Sequence, residues 1–265
     1  MRRSGLAAGL LLAGLLAVAG CIRSKVLVVV KPDGSGYVVL TQLSTGRGGP
    51  DVAMSGRGNR DMKKQLADLA ERFGEGVTLA KSETVKDKGF AAVFAFTNVN
   101  TVSVPVMAFG PMGETSAGDD AGAPAFLRQG IRFELSRTTD SCLVVTMPGS
   151  LVAASTTSVD TNSAGVGETA DMSSMEEFRG LNIDVSLQIL GSVLKHNASH
   201  PDTAKPDRFV LFHMEGDKLM EKPAALRMLG GESSDMNDMD AMYAKLLGLA
   251  DATVETNSQV TIHFK

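Results

Sequence analysis

The sequence predicts an α+β fold, in which helices pack on one face of a mainly antiparallel β-sheet built from hairpins. Most of the apolar, β-branched runs come in pairs joined by short turns, which is the pattern of antiparallel hairpins. Segments with a helical period are inserted between these pairs. A parallel α/β sheet would instead show a helix after each single strand.

The first hairpin is the clearest local signal. Residues 26–30 read Val-Leu-Val-Val-Val, which predicts a buried strand because both of its faces are apolar. Residues 31–36 predict a turn, since proline presets φ and glycine accepts positive φ. Residues 37–43 are the return strand, and the glycine-rich residues near 44–58 are predicted to form a mobile loop.

A helix and a second pair of strands are predicted next. Asn59 is placed to cap the helix and Gly74 to end it. The apolar positions at helical spacing are Met62, Leu66, Leu69 and Phe73. Residues 77–84 and 90–97 are the two strands. The second strand is apolar on both faces, so we expect it to be central in the sheet and covered by a helix.

The second half of the chain alternates strands with long polar segments. Residues near 108–125 and 150–174 are rich in small and polar residues without a period, which predicts two further mobile loops. The remaining strands are predicted at residues 131–136, 142–147, 181–189, 193–199, 208–214 and 260–264. Residues 190–192 are expected to reverse the chain into a hairpin. Helices are predicted at residues 223–229 and 235–249, and we expect residues 25–265 to form a single domain.

The amino-terminal segment predicts a targeting signal. Two arginines precede an apolar run over residues 6–18, which is too short for a membrane-spanning helix of about 20 residues. The run ends in Val-Ala-Gly-Cys21, which resembles the lipobox of bacterial lipoproteins. The resemblance implies that residues 1–20 are a cleaved signal peptide, that Cys21 is lipidated and that residues 21–24 are a short tether. A transmembrane anchor and a plain cleaved signal are the alternatives.

This resemblance implies a location. A protein lipidated at Cys21, with palmitate among its acyl groups, is anchored in the bacterial cell envelope, because several acyl chains hold far better than one. Ile22, rather than aspartate, follows the cysteine. By the sorting rule of well-studied lipoproteins, that residue implies the outer membrane, with the domain facing the periplasm.

Composition argues against several classes of function. Without Arg2 and Arg3, the 26 basic residues fall to 24 against 30 acidic residues, a net charge of −6. This balance argues against nucleic-acid binding, which needs Lys and Arg to neutralise phosphates. The sequence has no Trp and only 5% aromatic residues, so stacking surfaces for sugars or bases are scarce.

Three sequence markers support a further resemblance. They lie at residues 25–26 with 32–36, at residues 89–100, and at residues 178–181 with 195–198. Together they resemble a group of uncharacterised bacterial lipoproteins, and the layout is similar to the LppM-type lipoprotein domain. The resemblance implies an α/β fold with a helix on an antiparallel sheet and a lipid-handling role. The markers are turn and core residues, and none is a catalytic signature.

Each candidate catalytic or metal-binding residue has a simpler explanation. Cys142 lies in an apolar run with no histidine or helix start nearby in sequence, so we expect a buried side chain rather than a nucleophile. His196 and His200 are four residues apart, but that spacing in a strand covers about 13 Å, too far for one ion. His213 and His263 are single histidines near strand ends and are expected to be structural.

The segment 235–242 shows two further patterns. Met236, Met239 and Met242 recur every three residues, as in methionine-rich copper sites. The first two share a helix face with apolar residues further along, which favours packing. The acidic residues of the segment lack the glycine and the closing glutamate of a calcium loop. We therefore expect no metal site, no cofactor and no catalytic residue.

These observations predict a non-enzymatic, membrane-anchored envelope lipoprotein that binds a lipid or a membrane-adjacent partner. The expected partners are the membrane, through the lipid on Cys21, and a lipid or an envelope protein, but not nucleic acid. A structural or assembly role through protein contacts is the alternative. A hydrolase with catalytic residues scattered along the chain is a third hypothesis, because no local hydrolase motif is present.

Overall fold

The computed structural model describes residues 22–44, 59–85, 89–105, 130–137, 140–149, 152, 180–221 and 252–265. In chain order, the elements are β1 (Ile22–Val30), β2 (Gly36–Ser44), α1 (Asn59–Phe73), β3 (Thr78–Thr84), β4 (Gly89–Phe96), β5 (Ser103–Val104), β6 (Ile131–Arg137), β7 (Ser141–Thr146), β8 (Asn182–Ile189), β9 (Val193–His196), β10 (Arg208–Glu215), α2 (Gly216–Met220), β11 (Thr253–Val254) and β12 (Gln259–Phe264). A 3₁₀ turn covers Val99–Thr101.

The predicted α+β class is wrong, because the described part of the chain is mostly β and forms two sheets. A seven-stranded sheet has the order β11-β10-β8-β1-β2-β4-β3, and a five-stranded sheet has the order β5-β6-β7-β12-β9. Apolar side chains from both sheets form one core cluster. The second sheet, rather than a layer of helices, therefore supplies much of the apolar surface that buries the first. Alternation along a strand shows which residues face a core but not what covers them.

The first hairpin is confirmed. β1 and β2 pair antiparallel from Ile22 opposite Ser44 to Val30 opposite Gly36. The Asp33 carboxylate accepts hydrogen bonds from the backbone N–H and the hydroxyl of Ser35, at 3.0 and 2.7 Å. Gly34 has a φ of +76°, which a residue with a side chain adopts at a cost. The predicted turn chemistry therefore closes this hairpin.

The predicted hairpin between residues 181–189 and 193–199 is wrong. β8 pairs in parallel with β1, and β9 pairs with β12 in the other sheet. The intervening residues transfer the chain between the sheets. Leu190 N–H donates to Val30 O at 2.8 Å, and Ser192 N–H donates to Lys265 O at 2.9 Å. A short turn therefore marks a change of direction without fixing which strands pair.

The predicted helix over residues 60–73 is confirmed as α1. Among the side chains described for residues 63–73, the buried ones are Leu66, Ala70 and Phe73. The ring of Phe73 lies 5.0 Å from that of Phe94 on β4. α1 contacts β3 of one sheet and β5 of the other, so it fills the junction between the sheets rather than covering a face. Gly74 ends the helix with a φ of +133°, and a Cβ there would collide with the carbonyl of Thr101.

Several predictions lie outside the described residues. They are the loops near 44–58 beyond Ser44, near 108–125, and near 150–174 apart from Val152, and the helices at 223–229 and 235–249. Cys21 and the methionines at 236–242 also lie outside them. α2 was not predicted, and it directly follows β10.

We expect Phe94→Ala to lower the free energy of unfolding by about 3–5 kcal/mol, because Phe94 is fully buried and its loss leaves a cavity beside Phe73. Urea denaturation followed by circular dichroism measures the change. Thr97→Ala, at an exposed position just after β4, is the matched control. A loss below about 1 kcal/mol for Phe94→Ala would show that the junction is loosely packed.

Candidate functional site

In the sequence, the predicted lipidation motif directly precedes the central strand of the larger sheet. β1 begins at Ile22, directly after Cys21, and it is the fourth of seven strands. Residues 22–24, expected to belong to a tether, are part of β1: Ile22 pairs with β2 alone, and Arg23 lies opposite Leu43 of β2 and opposite Asn182 of β8. We call this end of the sheet the anchor end. It comprises the starts of β1 and β8 and the ends of β2 and β10.

Two basic side chains of β1 lie close to the anchor end. Arg23 and Lys25 are both exposed, and they share the sheet face opposite the one that carries Val26. Lys25 lies opposite Asp184 in the parallel ladder. The alternation of β1 thus places its first two basic residues on the same side, within five residues of Cys21.

His213 lies between two carboxylates on that same face. Its Nε2 is 3.1 Å from Glu215 Oε1, and its Nδ1 is 3.8 Å from Asp184 Oδ2. The second distance exceeds hydrogen-bond range, and Nδ1 is buried without a hydrogen-bond partner. The register of β8 and β10 places His213 opposite Asp184, and Glu215 follows two residues later on the same strand.

Donor groups surround the two carboxylates. Ser186 Oγ donates to Asp184 Oδ1 at 2.7 Å, and Arg208 lies 3.7 Å from the same oxygen. Lys218 of α2 lies 3.6 Å from Glu215 Oε2. Each carboxylate therefore has basic groups beside it. Arg208 lies near Asp184, and His213 and Lys218 lie near Glu215.

The electrostatics of this cluster act on Glu215. The hydrogen bond from His213, and then the positive charge of Lys218, hold the pKa of Glu215 below its ordinary value. An anionic group that approached His213 and Lys218 would compete with Glu215 for the same donors. A bound anion at the anchor end would therefore take the place of Glu215 as the partner of His213 and Lys218.

Backbone contacts hold α2 against the start of β8. Gly180 N–H donates to Asp217 Oδ1 at 2.7 Å, and Gly216 N–H donates to Leu181 O at 2.7 Å. These bonds fix the position from which Lys218 reaches Glu215. Sequence reasoning missed this group, although Gly216 and Asp217 are residues that often begin a helix.

The histidines first considered for metal binding have separate partners. The His196 ring packs edge-on against Phe209 with centroids 5.0 Å apart. His200 Nε2 lies 3.1 Å from Val254 O. The structure therefore does not bring these two histidines to a common point.

Cys142 is half-buried, whereas the sequence predicted a buried side chain. Its Sγ is 3.8 Å from Nε2 of His263, and the two residues are 121 positions apart in sequence. They lie directly opposite each other on β7 and β12. Both strands were predicted, but no local pattern gives the register between strands so far apart in the chain.

Sequence reasoning also missed a buried carboxylate, Glu255. It is fully buried and accepts hydrogen bonds from the backbone N–H groups of Ser199 and Asn257, at 2.9 and 3.0 Å. Its own N–H donates to Leu211 O. These bonds join the segments after β9 and β11 to β10, which indicates a structural role.

Comparison with known proteins gives little support for an assignment. No family model matches the sequence, and no curated protein matches it. Among solved structures, the chain is similar to the folded domain of the Mycobacterium tuberculosis LppM protein, determined by NMR. The two are 11% identical over 72% of this chain and 81% of that chain, with a TM-score of 0.28. A TM-score this low does not establish a shared fold.

None of the helices in the described part of the chain is both long enough and apolar enough to cross a membrane.

We expect Glu215→Gln to destabilise the protein at pH 7 by less than about 1 kcal/mol, since the His213 and Glu215 side chains are 30% and 39% exposed and solvent screens their interaction. The folded-state pKa of Glu215 is lowered, so its contribution is full above the unfolded-state pKa and is lost as the pH falls through the folded-state pKa. Urea denaturation over a pH series should therefore show the two proteins converging at acid pH. Glu83→Gln on β3 is the control, and a pH-independent difference would contradict the assignment.

Proposed function

We propose that the chain is a non-enzymatic lipoprotein of the bacterial cell envelope that binds a lipid or a membrane-adjacent partner at its anchor end. The observation that carries this proposal is the position of Cys21, immediately before the central strand of the larger sheet. Lipid on Cys21 would be attached next to a strand that has a paired neighbour on each side.

The start of β1 at Ile22, directly after Cys21, supports close contact with the membrane. One residue of extended chain covers at most about 3.6 Å, and β1 is already paired at Ile22. A lipidated Cys21 would therefore hold the anchor end within a few ångströms of the headgroups. Distant soluble partners would not need such a short connection.

The side chains of the anchor end suit phosphate-bearing headgroups. Arg23 and Lys25 are exposed close to the attachment point. His213 and Lys218 form a second donor group, which Glu215 neutralises in the absence of another anion. These local charges favour an anionic surface although the chain as a whole is acidic.

A second candidate function is an assembly role through protein contacts. Leu190 and Leu194 are 39% and 46% exposed, and they are the exposed large hydrophobic residues of the described chain. Leu190 follows the last residue of β8, at the opposite end of the sheet from the anchor. In this second candidate function, Leu190 would contact another protein at the end of the sheet away from the membrane.

We expect Cys21→Ser to release the protein from the membrane fraction, because the thioether-forming sulfur is lost. Fractionation of cells and mass spectrometry of the intact protein measure attachment and acylation. Cys142→Ser, which removes the other cysteine, is the matched control and should remain membrane-bound and acylated. Firm membrane attachment of the Cys21→Ser form would refute the lipid anchor.

A photo-crosslinking residue at Arg23 should capture phospholipid in the native chain. A flexible Gly/Ser linker of about 20 residues between Cys21 and Ile22 has an end-to-end distance of about 25 Å and should reduce that capture severalfold. A crosslinker at Lys195, an exposed residue of the five-stranded sheet, is the control for random collisions. If the two proteins are equally acylated and capture phospholipid equally, the short connection between Cys21 and β1 is not what brings Arg23 to the lipid.

A further inference from the structure

We propose that Cys142 and His263 form a two-ligand site for a soft monovalent cation of the Cu⁺ class, whose third ligand comes from a second molecule. The inference goes beyond the proposed function and does not depend on membrane attachment. It rests on the geometry of the antiparallel pair formed by β7 and β12.

The two side chains are positioned by the fold itself. Cys142 lies directly opposite His263, so both project from the same face of the five-stranded sheet. The neighbouring residues Leu143, Ile262 and Phe264 are fully buried and hold this register. Cys142 and His263 are themselves half-buried, so the pair is preformed and still accessible.

The distance between the two donor atoms indicates the coordination geometry. Bonds of about 2.3 Å to sulfur and about 2.0 Å to nitrogen would span the observed 3.8 Å at an angle of roughly 120°. That angle is typical of a three-coordinate ion. The two strands would supply two of its ligands.

The number of ligands favours Cu⁺ over Zn²⁺. Within the part of the chain that the structure describes, no group of three or more His, Cys, Asp or Glu residues could hold a metal ion. Zinc in proteins takes four ligands, of which at least three usually come from the protein. Thiolate ligands select Cu⁺, which accepts low coordination numbers, and imidazole is also a good copper ligand.

The charges around the pair favour a monovalent ion. Lys195 of β9 lies opposite His263, and Ser136 of β6 lies opposite Cys142. A thiolate with Cu⁺ is neutral as a unit, whereas a divalent ion would leave a positive charge beside Lys195. Ser136 and Lys195 are exposed, which leaves room for a donor from a second molecule.

The test is an anaerobic titration of the detergent-solubilised, full-length lipoprotein with Cu⁺, supplied as its complex with the chromophoric chelator bicinchoninate. We expect one Cu⁺ to bind per chain. Cys142→Ser should abolish binding although the sulfur of Cys21 is retained. His263→Ala should weaken binding by more than about tenfold although the Cys142 thiol is retained. His196→Ala, which removes an exposed histidine that packs on Phe209, should leave binding unchanged.

X-ray absorption of the copper-loaded wild-type protein gives an independent readout, with one sulfur and at least one nitrogen expected in the first coordination shell. This measurement identifies the copper ligands in the wild-type protein, so it tests the proposal even if circular dichroism shows that Cys142→Ser does not fold. Absence of Cu⁺ binding in the wild type, equal affinity in His263→Ala, or a shell without nitrogen would each overturn the proposal.

Discussion

The parallel pairing of β1 with β8 is the interaction on which the rest of the larger sheet depends. It joins residues 23–30 to residues 182–189, and each strand then carries its own neighbours outward. β2, β4 and β3 extend the sheet on one side, and β10 and β11 extend it on the other. Because the pairing is parallel, β1 and β8 begin at the same end, and the charged cluster of β8 and β10 comes to lie near the start of β1, which directly follows Cys21 in the sequence.

The sequence predicted individual elements better than their arrangement. Residues 26–30 and 31–36 specified the first hairpin, since β-branched residues and turn residues act locally. The helix ending at Gly74 was also predictable from apolar spacing. The pairing of Val26 with Val185 was not predictable, because the two residues are more than 150 positions apart and no local pattern in the sequence links them. The mistaken α+β class follows from the same limit: alternation does not distinguish a covering sheet from a covering helix.

The same limit applies to the candidate sites. Cys21 could be predicted as a lipidation site because its motif is contiguous, and it stays a prediction. Cys142 and His263, and likewise Asp184 and His213, meet only through strand register. The histidines that are close in sequence, His196 and His200, turned out to have different partners. In this β-rich chain, proximity in sequence is therefore a poor guide to chemical proximity.

The start of β1 beside Cys21 also has a mechanical consequence. In the proposed attachment, a pull on the lipid enters the fold at Ile22 and runs along the strand axis. β1 pairs with β2 over nine positions and with β8 over eight, so the load is shared among the hydrogen bonds of both ladders at once. Such shear loading resists rupture better than peeling an edge strand one bond at a time. The lipid would thus be attached where the domain withstands tension best, and forced unfolding would be governed by the rate at which β1 slides out of both ladders.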